Sequence, residues 1–315
     1  MGKSAIVILL VSTASLALIV PVSAQTMPSS GLSVSPAIRQ ISLASGQHSA
    51  TFTTEITNNS SEQANIGVSV DDFTALNTTG SAIFLNNADR LTAPHGLAHW
   101  MSPELGTFTL EAHTTQKVPI HIRDAASMAP GGHYGAVIFR LLPVRTNAAV
   151  NRLASNTEVS VLVFVTTSNP GRQALSLTPP KLDSFTFSMP ASVNLVFTND
   201  GDVQTSPRGV VTLTDQAGHE ISRGIVNVDS GLVLPGTRRL YQVLLDTPSE
   251  FAMPGQYTLT VYYRADGSIQ LSRYARTFFY ASPVALGLAV AMLGLPFCFV
   301  GWRIAQRVIR RKIKA

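Results

Sequence analysis

Ser49-Ala50-Thr51-Phe52-Thr53-Thr54-Glu55-Ile56-Thr57-Asn58-Asn59 is the stretch on which the fold turns. Ala50, Phe52 and Ile56 share one parity, and a period of two predicts a half-buried β-strand running into a turn. The same ending returns in Leu195-Val196-Phe197-Thr198-Asn199-Asp200. Each copy is followed by a Pro-Gly…Tyr turn that opens a further strand. These turns are Met128-Ala129-Pro130-Gly131-Gly132-His133-Tyr134 and Met253-Pro254-Gly255-Gln256-Tyr257. Pro-Gly suits a tight turn, and a Tyr entering the next strand can bury its ring and bond its hydroxyl near the corner. Tyr134 and Tyr257 are therefore read as structural turn tyrosines. Asn58 and Tyr134 are 76 residues apart, whereas Asn199 and Tyr257 are 58 apart. The first copy thus carries extra material, placed most simply at residues 74–104.

Outward from these copies, short β-branched and aromatic runs recur at 65–70, 117–122, 136–142, 158–166, 192–197, 210–213, 240–245 and 257–262, bounded by Gly, Pro, Asn, Asp or Ser. Many short strands and few helical patterns predict β-sandwiches rather than βαβ units. The run 159–165 is apolar on both parities, as a central strand covered on both faces would be. Thr167-Ser168-Asn169-Pro170-Gly171 is a cluster of turn formers, so one sandwich is expected over 31–168 and a second over 172–281.

The ends of the chain set its compartment. Lys3, an apolar run over 5–20 and the small residues Val22-Ser23-Ala24 read as a signal peptide, residues 1–24, with a leader at 25–30. Residues 284–302 carry no charge and at 1.5 Å per residue span about 28 Å, enough for a bilayer core. Arg303, Arg307, Arg310, Arg311, Lys312 and Lys314 follow with no acid, which predicts a short cytoplasmic tail, 303–315. The expected topology is a single-pass type I plasma-membrane protein with its ectodomain at the cell surface. Of 23 Lys and Arg, seven lie in the signal and the tail, leaving 16 against 18 acids, a net of about −2. The basic pI is thus a property of the tail and gives no reason to expect nucleic acid as a partner. The single cysteine, Cys298, falls inside the span, so the ectodomain has no disulfide framework.

Catalytic signatures are missing: there is no Gly-x-Ser-x-Gly, no His-Glu-x-x-His and no phosphate-cradling loop, and neither an enzyme nor a cofactor is expected. Asp71-Asp72 could hold a surface cation or simply be solvated or cap a turn. Six of the seven histidines lie in the first domain, and His95 and His99 are four apart, yet no spacing resembles a closed zinc site. Metal binding is therefore not expected. Trp100-Met101-Ser102-Pro103, in the inserted segment near Phe84, is the candidate partner contact: Trp100, Met101 and Phe84. The alternative is that Trp100 closes the end of the sandwich. Leu234-Pro235-Gly236-Thr237 lacks the order and the place of a sorting signal.

The architecture and several short motifs resemble the bacterial WxL-interacting cell-surface proteins. The motifs are Gly31-Leu32-Ser33-Val34-Ser35-Pro36-Ala37, the segment 57–70, and Pro254-Gly255 leading into 257–261. The resemblance implies a first domain that contacts peptidoglycan and a second that contacts a surface protein. The opening also resembles the first domain of periplasmic pilus chaperones. Both imply an Ig-like domain with an exposed strand edge, and the expected fold is an all-β chain of two tandem Ig-like β-sandwich domains followed by a single C-terminal transmembrane helix. The function expected is a membrane-anchored adaptor for cell-wall polymer, another surface protein, or both. The alternative is a membrane-tethered assembly chaperone that acts by strand addition on surface subunits.

Overall fold

The computed structural model describes residues 31–85, 94–143, 157–246 and 252–313. The expected signal peptide and leader, residues 86–93 of the inserted segment, and Lys314 lie outside them. The first sandwich contains β1 (Leu32–Ser35), β2 (Ile38–Ser42), β3 (Ala50–Asn58), β4 (Ala64–Leu76), β5 (Ser81–Phe84), β6 (Met101–Pro103), β7 (Thr107–Leu110), β8 (Thr115–Ile122), β9 (Gly132–Leu141) and β10 (Glu158–Thr166). One sheet has the order β1-β3-β8-β6 and the other β2-β10-β9-β4-β5, with β7 also paired to β4. Two such sheets from one chain, the first strand switching from one to the other, form an Ig-like sandwich. Period-two alternation fills the space between them. Phe52 and Ile56 of β3, Ile120 and Ile122 of β8, and Val137 and Phe139 of β9 belong to one buried cluster.

The second sandwich repeats the plan with β11 (Leu175–Thr178), β12 (Phe185–Thr186), β13 (Ser192–Asn199), β14 (Pro207–Thr214), β15 (Glu220–Val226), β16 (Arg238–Leu244), β17 (Gly255–Ala265) and β18 (Ser272–Tyr280). Its sheets run β11-β13-β16 and β12-β18-β17-β14-β15. In both sandwiches the short second strand pairs parallel to the last one, β2 with β10 and β12 with β18. Leu195, Phe197, Leu213, Leu259, Val261 and Phe278 form its core.

The repeated Asn has a physical reason. Asn58 and Asn199 are both fully buried. Asn58 Nδ2 donates to the carbonyls of Glu62, Leu110 and Glu111, and its Oδ1 accepts from the Ser60 N–H. Asn199 Nδ2 donates to those of Val203 and Val233, and its Oδ1 accepts from the Gly201 N–H. In both copies the side chain bonds the N–H two residues on and the carbonyl four residues on. A short side-chain amide thereby ties down the turn that follows each strand.

A helix, α1 (Pro283–Ile313), follows two residues after β18. Its segment Pro283–Ile304 has a mean hydropathy of 2.2 and is long and apolar enough to cross a membrane. Arg303, Arg307, Arg310, Arg311 and Lys312 continue this helix, where the sequence reading had separated a tail from residue 303. No Gly or Pro follows Gly301, and the Arg- and Lys-rich stretch favours helix.

Candidate functional site

The two sandwiches meet through a third apolar cluster built on the outer face of the β9–β10 sheet. Phe73, Tyr134, Ala136, Ile138 and Phe164 from the first sandwich pack with Leu234 from the second. Phe164 meets Phe73 edge-on at 5.5 Å and Tyr134 at 5.7 Å. This explains the doubly apolar run of β10. Val161, Val163 and Val165 point into the first core, whereas Leu162 and Phe164 point to the junction.

Polar bonds fix the junction. The Tyr134 hydroxyl donates to Gln204 Oε1 at 3.0 Å, and Gln204 Nε2 donates to Thr166 Oγ1 at 3.2 Å. Gly132 N–H donates to the Asp202 carbonyl at 2.8 Å. The turn between β4 and β5 also reaches across, its Thr78 carbonyl accepting from Leu240 N–H at 2.8 Å. Gly80 permits that approach: its φ is +74°, and a Cβ there would lie 2.4 Å from Arg239 Nε. Burial pushes the Tyr134 hydroxyl above the ordinary phenol range. Burial likewise raises Tyr241 to about 12, against the lowering effect of the Arg239 guanidinium 5.4 Å from its ring centroid.

Beside this contact the sandwiches leave an open cleft of about 350 Å³. Ile38, Phe73, Leu162 and Phe164 line one wall and Leu232 and Leu234 the other, with Asp229 and Arg239 at the rim. Ile38 is 51% exposed. Among the described residues, part of a strand edge next to the cleft has no partner strand. β9 pairs with β10 along all of Glu158–Thr166, but β2 covers the other side only from Leu162 onward. Leu162 N–H donates to the Ala37 carbonyl, on the β2 side, and the Thr157 carbonyl accepts from Leu141, on the β9 side. Even-numbered residues of β10 therefore aim their backbone groups toward β2. Those of Glu158 and Ser160 face a position that no described strand occupies.

The sequence candidates separate. Trp100 ends the 3-10 turn Ala98–Trp100 and Met101 begins β6 in the sheet of β1, β3, β8 and β6, whereas Phe84 ends β5 on the opposite sheet. Met101 is 5% exposed and packs in the first core, so it offers no surface to a partner. Parity alone could not show this, because what covers Met101 is the opposite sheet, where its Cε lies against Gly135 of β9. Trp100 is half-buried against the same core, and its Nε1–H donates to Ser127 Oγ at 2.8 Å. Phe84 is 40% exposed and pairs with Phe73 on β4.

Asp72 is buried, and its Oδ1 accepts from the N–H groups of Leu97 and Ala98, both at 2.6 Å. It thus tethers the segment entering the 3-10 turn Ala98–Trp100. His133 is 1% exposed, with Nδ1 3.0 Å from the Gly96 carbonyl oxygen and Nε2 2.8 Å from that of Ala129. Its ring stands edge-on to Trp100 at 5.4 Å. The sequence reading missed the edge of β10, Gln204 and the junction cluster; the double apolar parity of 159–165 was the one signal that pointed there.

No protein-family model matches the chain, and no curated protein matches it in sequence. Among solved structures it is similar to the class 5 fimbriae chaperone CfaA, at 12% identity, covering 78% of this chain and 98% of that one, with a TM-score of 0.41. It is similar also to the E. coli chaperone DraB, at 12% identity over 79% of this chain and 96% of that one, TM-score 0.36. A further similar structure is the YadV chaperone, at 12% identity over 79% and 100%, TM-score 0.37.

Proposed function

We propose that this chain is a non-enzymatic, membrane-tethered binding protein that takes up an extended segment of another surface protein along the free edge of β10, as an assembly chaperone does. The observation that carries the reading is the outward N–H and C=O of Glu158 and Ser160, beside an apolar cleft. A strand added there would continue the sheet collinear with β2. Main-chain bonds would supply affinity, and alternate side chains could use Ile38, Leu162 and Phe164 for specificity. The basic residues that follow the apolar part of α1 support an orientation with the sandwiches outside and the C-terminus in the cytoplasm.

Ser160→Pro is the test. Proline removes one outward N–H and leaves the ladder to β9 intact, a placement that edge strands tolerate. The full chain, wild type and variant, is compared for co-purification with surface subunits and for co-sedimentation with isolated cell-wall sacculi. Capture that is lost in the variant, with unchanged Tm and with exchange protection of the Ser160 amide in the wild-type complex, supports strand addition. Capture that survives the substitution overturns it. Sedimentation with sacculi that the substitution leaves untouched would move the ligand to wall polymer.

A further inference from the structure

The end of the second sandwich from which α1 departs is unlike the end that meets the first sandwich. Phe185 of β12 stacks on Phe279 of β18, with ring centroids 5.9 Å apart and planes 8° apart. Phe187 stands edge-on to Phe185 at 4.9 Å. The three rings are 48%, 45% and 51% exposed for Phe185, Phe279 and Phe187. Single exposed apolar side chains are ordinary on a soluble surface, but contiguous aromatic ones mark an interaction site. Two more apolar side chains sit at the same end. Met253, 75% exposed, precedes Gly255, which pairs with Tyr280; Leu244, 72% exposed, pairs with Ser192 at the start of β13.

Chain length says what this patch faces. Phe279 is four residues before Pro283, where the apolar helix begins, so its Cα lies within about 14 Å of that point however the connection bends. The headgroup region of a bilayer is about 5–8 Å deep on each side. Rings at that distance from a membrane-spanning helix are within reach of the headgroup–acyl boundary, into which interfacial segments bury Trp, Phe and Leu side chains. We infer that Phe185, Phe187 and Phe279 form an interfacial anchor that seats the second sandwich on the phospholipid leaflet that α1 enters. The inference rests on α1 spanning the bilayer. Its consequence is mechanical. β17 runs from this end to the junction, so the anchor holds the cleft about 30 Å above the leaflet rather than leaving it to swing on a two-residue connection.

Nitroxide labels on the full chain in phosphatidylcholine vesicles test both statements separately. Three single-cysteine chains are compared: native Cys298, Ser188→Cys with Cys298→Ser, and Gln270→Cys with Cys298→Ser. Residue 188 adjoins Phe187, whereas residue 270 lies in the turn between β17 and β18, at the opposite end. The expected result is that labels at 298 and 188 collide more with oxygen than with a nickel chelate, and that the label at 270 shows the reverse. Adding Phe185→Ser and Phe187→Ser should return the label at 188 to water and leave that at 298 unchanged. A label at 298 inside the bilayer with one at 188 as aqueous as at 270 overturns the anchor and leaves the span standing. Immersion at 188 that persists without the two rings also overturns it. A label at 298 that reads water removes the span and the anchor together.

Discussion

Tyr134 and Tyr257 follow the same Pro-Gly turn in two copies, yet Tyr257 faces its own core, Tyr134 faces the junction, and their hydroxyls bond in different directions. Tyr257 donates to the Met253 carbonyl, four residues back, at 2.6 Å, while Tyr134 donates to Gln204 of the other sandwich at 3.0 Å. In the first sandwich the adjacent ring serves the corner instead: His133 Nε2 lies 2.8 Å from the Ala129 carbonyl oxygen, again four residues back. The freed tyrosine is a junction residue, packed against Phe73 and Phe164, which line the cleft.

That bond is separable from the corner by mutation. Tyr134→Phe should destabilise the chain by about 1 kcal/mol, the net worth of one hydrogen bond. The loss should couple to Gln204→Ala, so that the double variant is less damaged than the sum of the singles. Tyr257→Phe should cost a similar amount and show no coupling to Gln204→Ala. Urea unfolding of the three single and two double variants measures this, and additivity at Tyr134 and Gln204 would mean the bond contributes nothing.

The repeated asparagines should be among the most sensitive polar positions. Asn58→Ala removes the amide donor from the carbonyls of Glu62, Leu110 and Glu111, and Asn199→Ala removes it from those of Val203 and Val233. Losing several hydrogen bonds from one fully buried amide makes each substitution cost about 2–4 kcal/mol. Asn59→Ala, next in the chain but exposed, should stay within about 0.5 kcal/mol. A shift in thermal midpoint at Asn59 as large as at Asn58 would contradict the assignment.

Trp100 can be tested as an end-closing residue. Trp100→Ala removes a half-buried ring from the first core and the partner of Ser127, so a loss of about 2 kcal/mol is expected, below the range for fully buried aromatics. Trp100→Phe should recover most of it. An unchanged Tm together with weaker capture of a surface subunit would instead make Trp100 a contact residue.

The strands, the two copies and the apolar helix were legible in the sequence because each is a local periodicity. Ala50, Phe52 and Ile56 declare a strand whatever else the chain does, and 19 uncharged residues before a basic run declare a span. The same locality explains what stayed hidden. Whether Met101 faces solvent depends on the opposite sheet, where Gly135 of β9 lies against its Cε. Where the Tyr134 hydroxyl goes depends on Gln204, 70 residues later. The open edge of β10 exists only because β2 stops short of it, and the aromatic patch only because β12 lies alongside β18. Pattern fixes which face of a strand is apolar; which neighbour covers that face, or leaves it bare, is settled by contacts far apart in the chain, and it is there that the candidate binding surfaces arise.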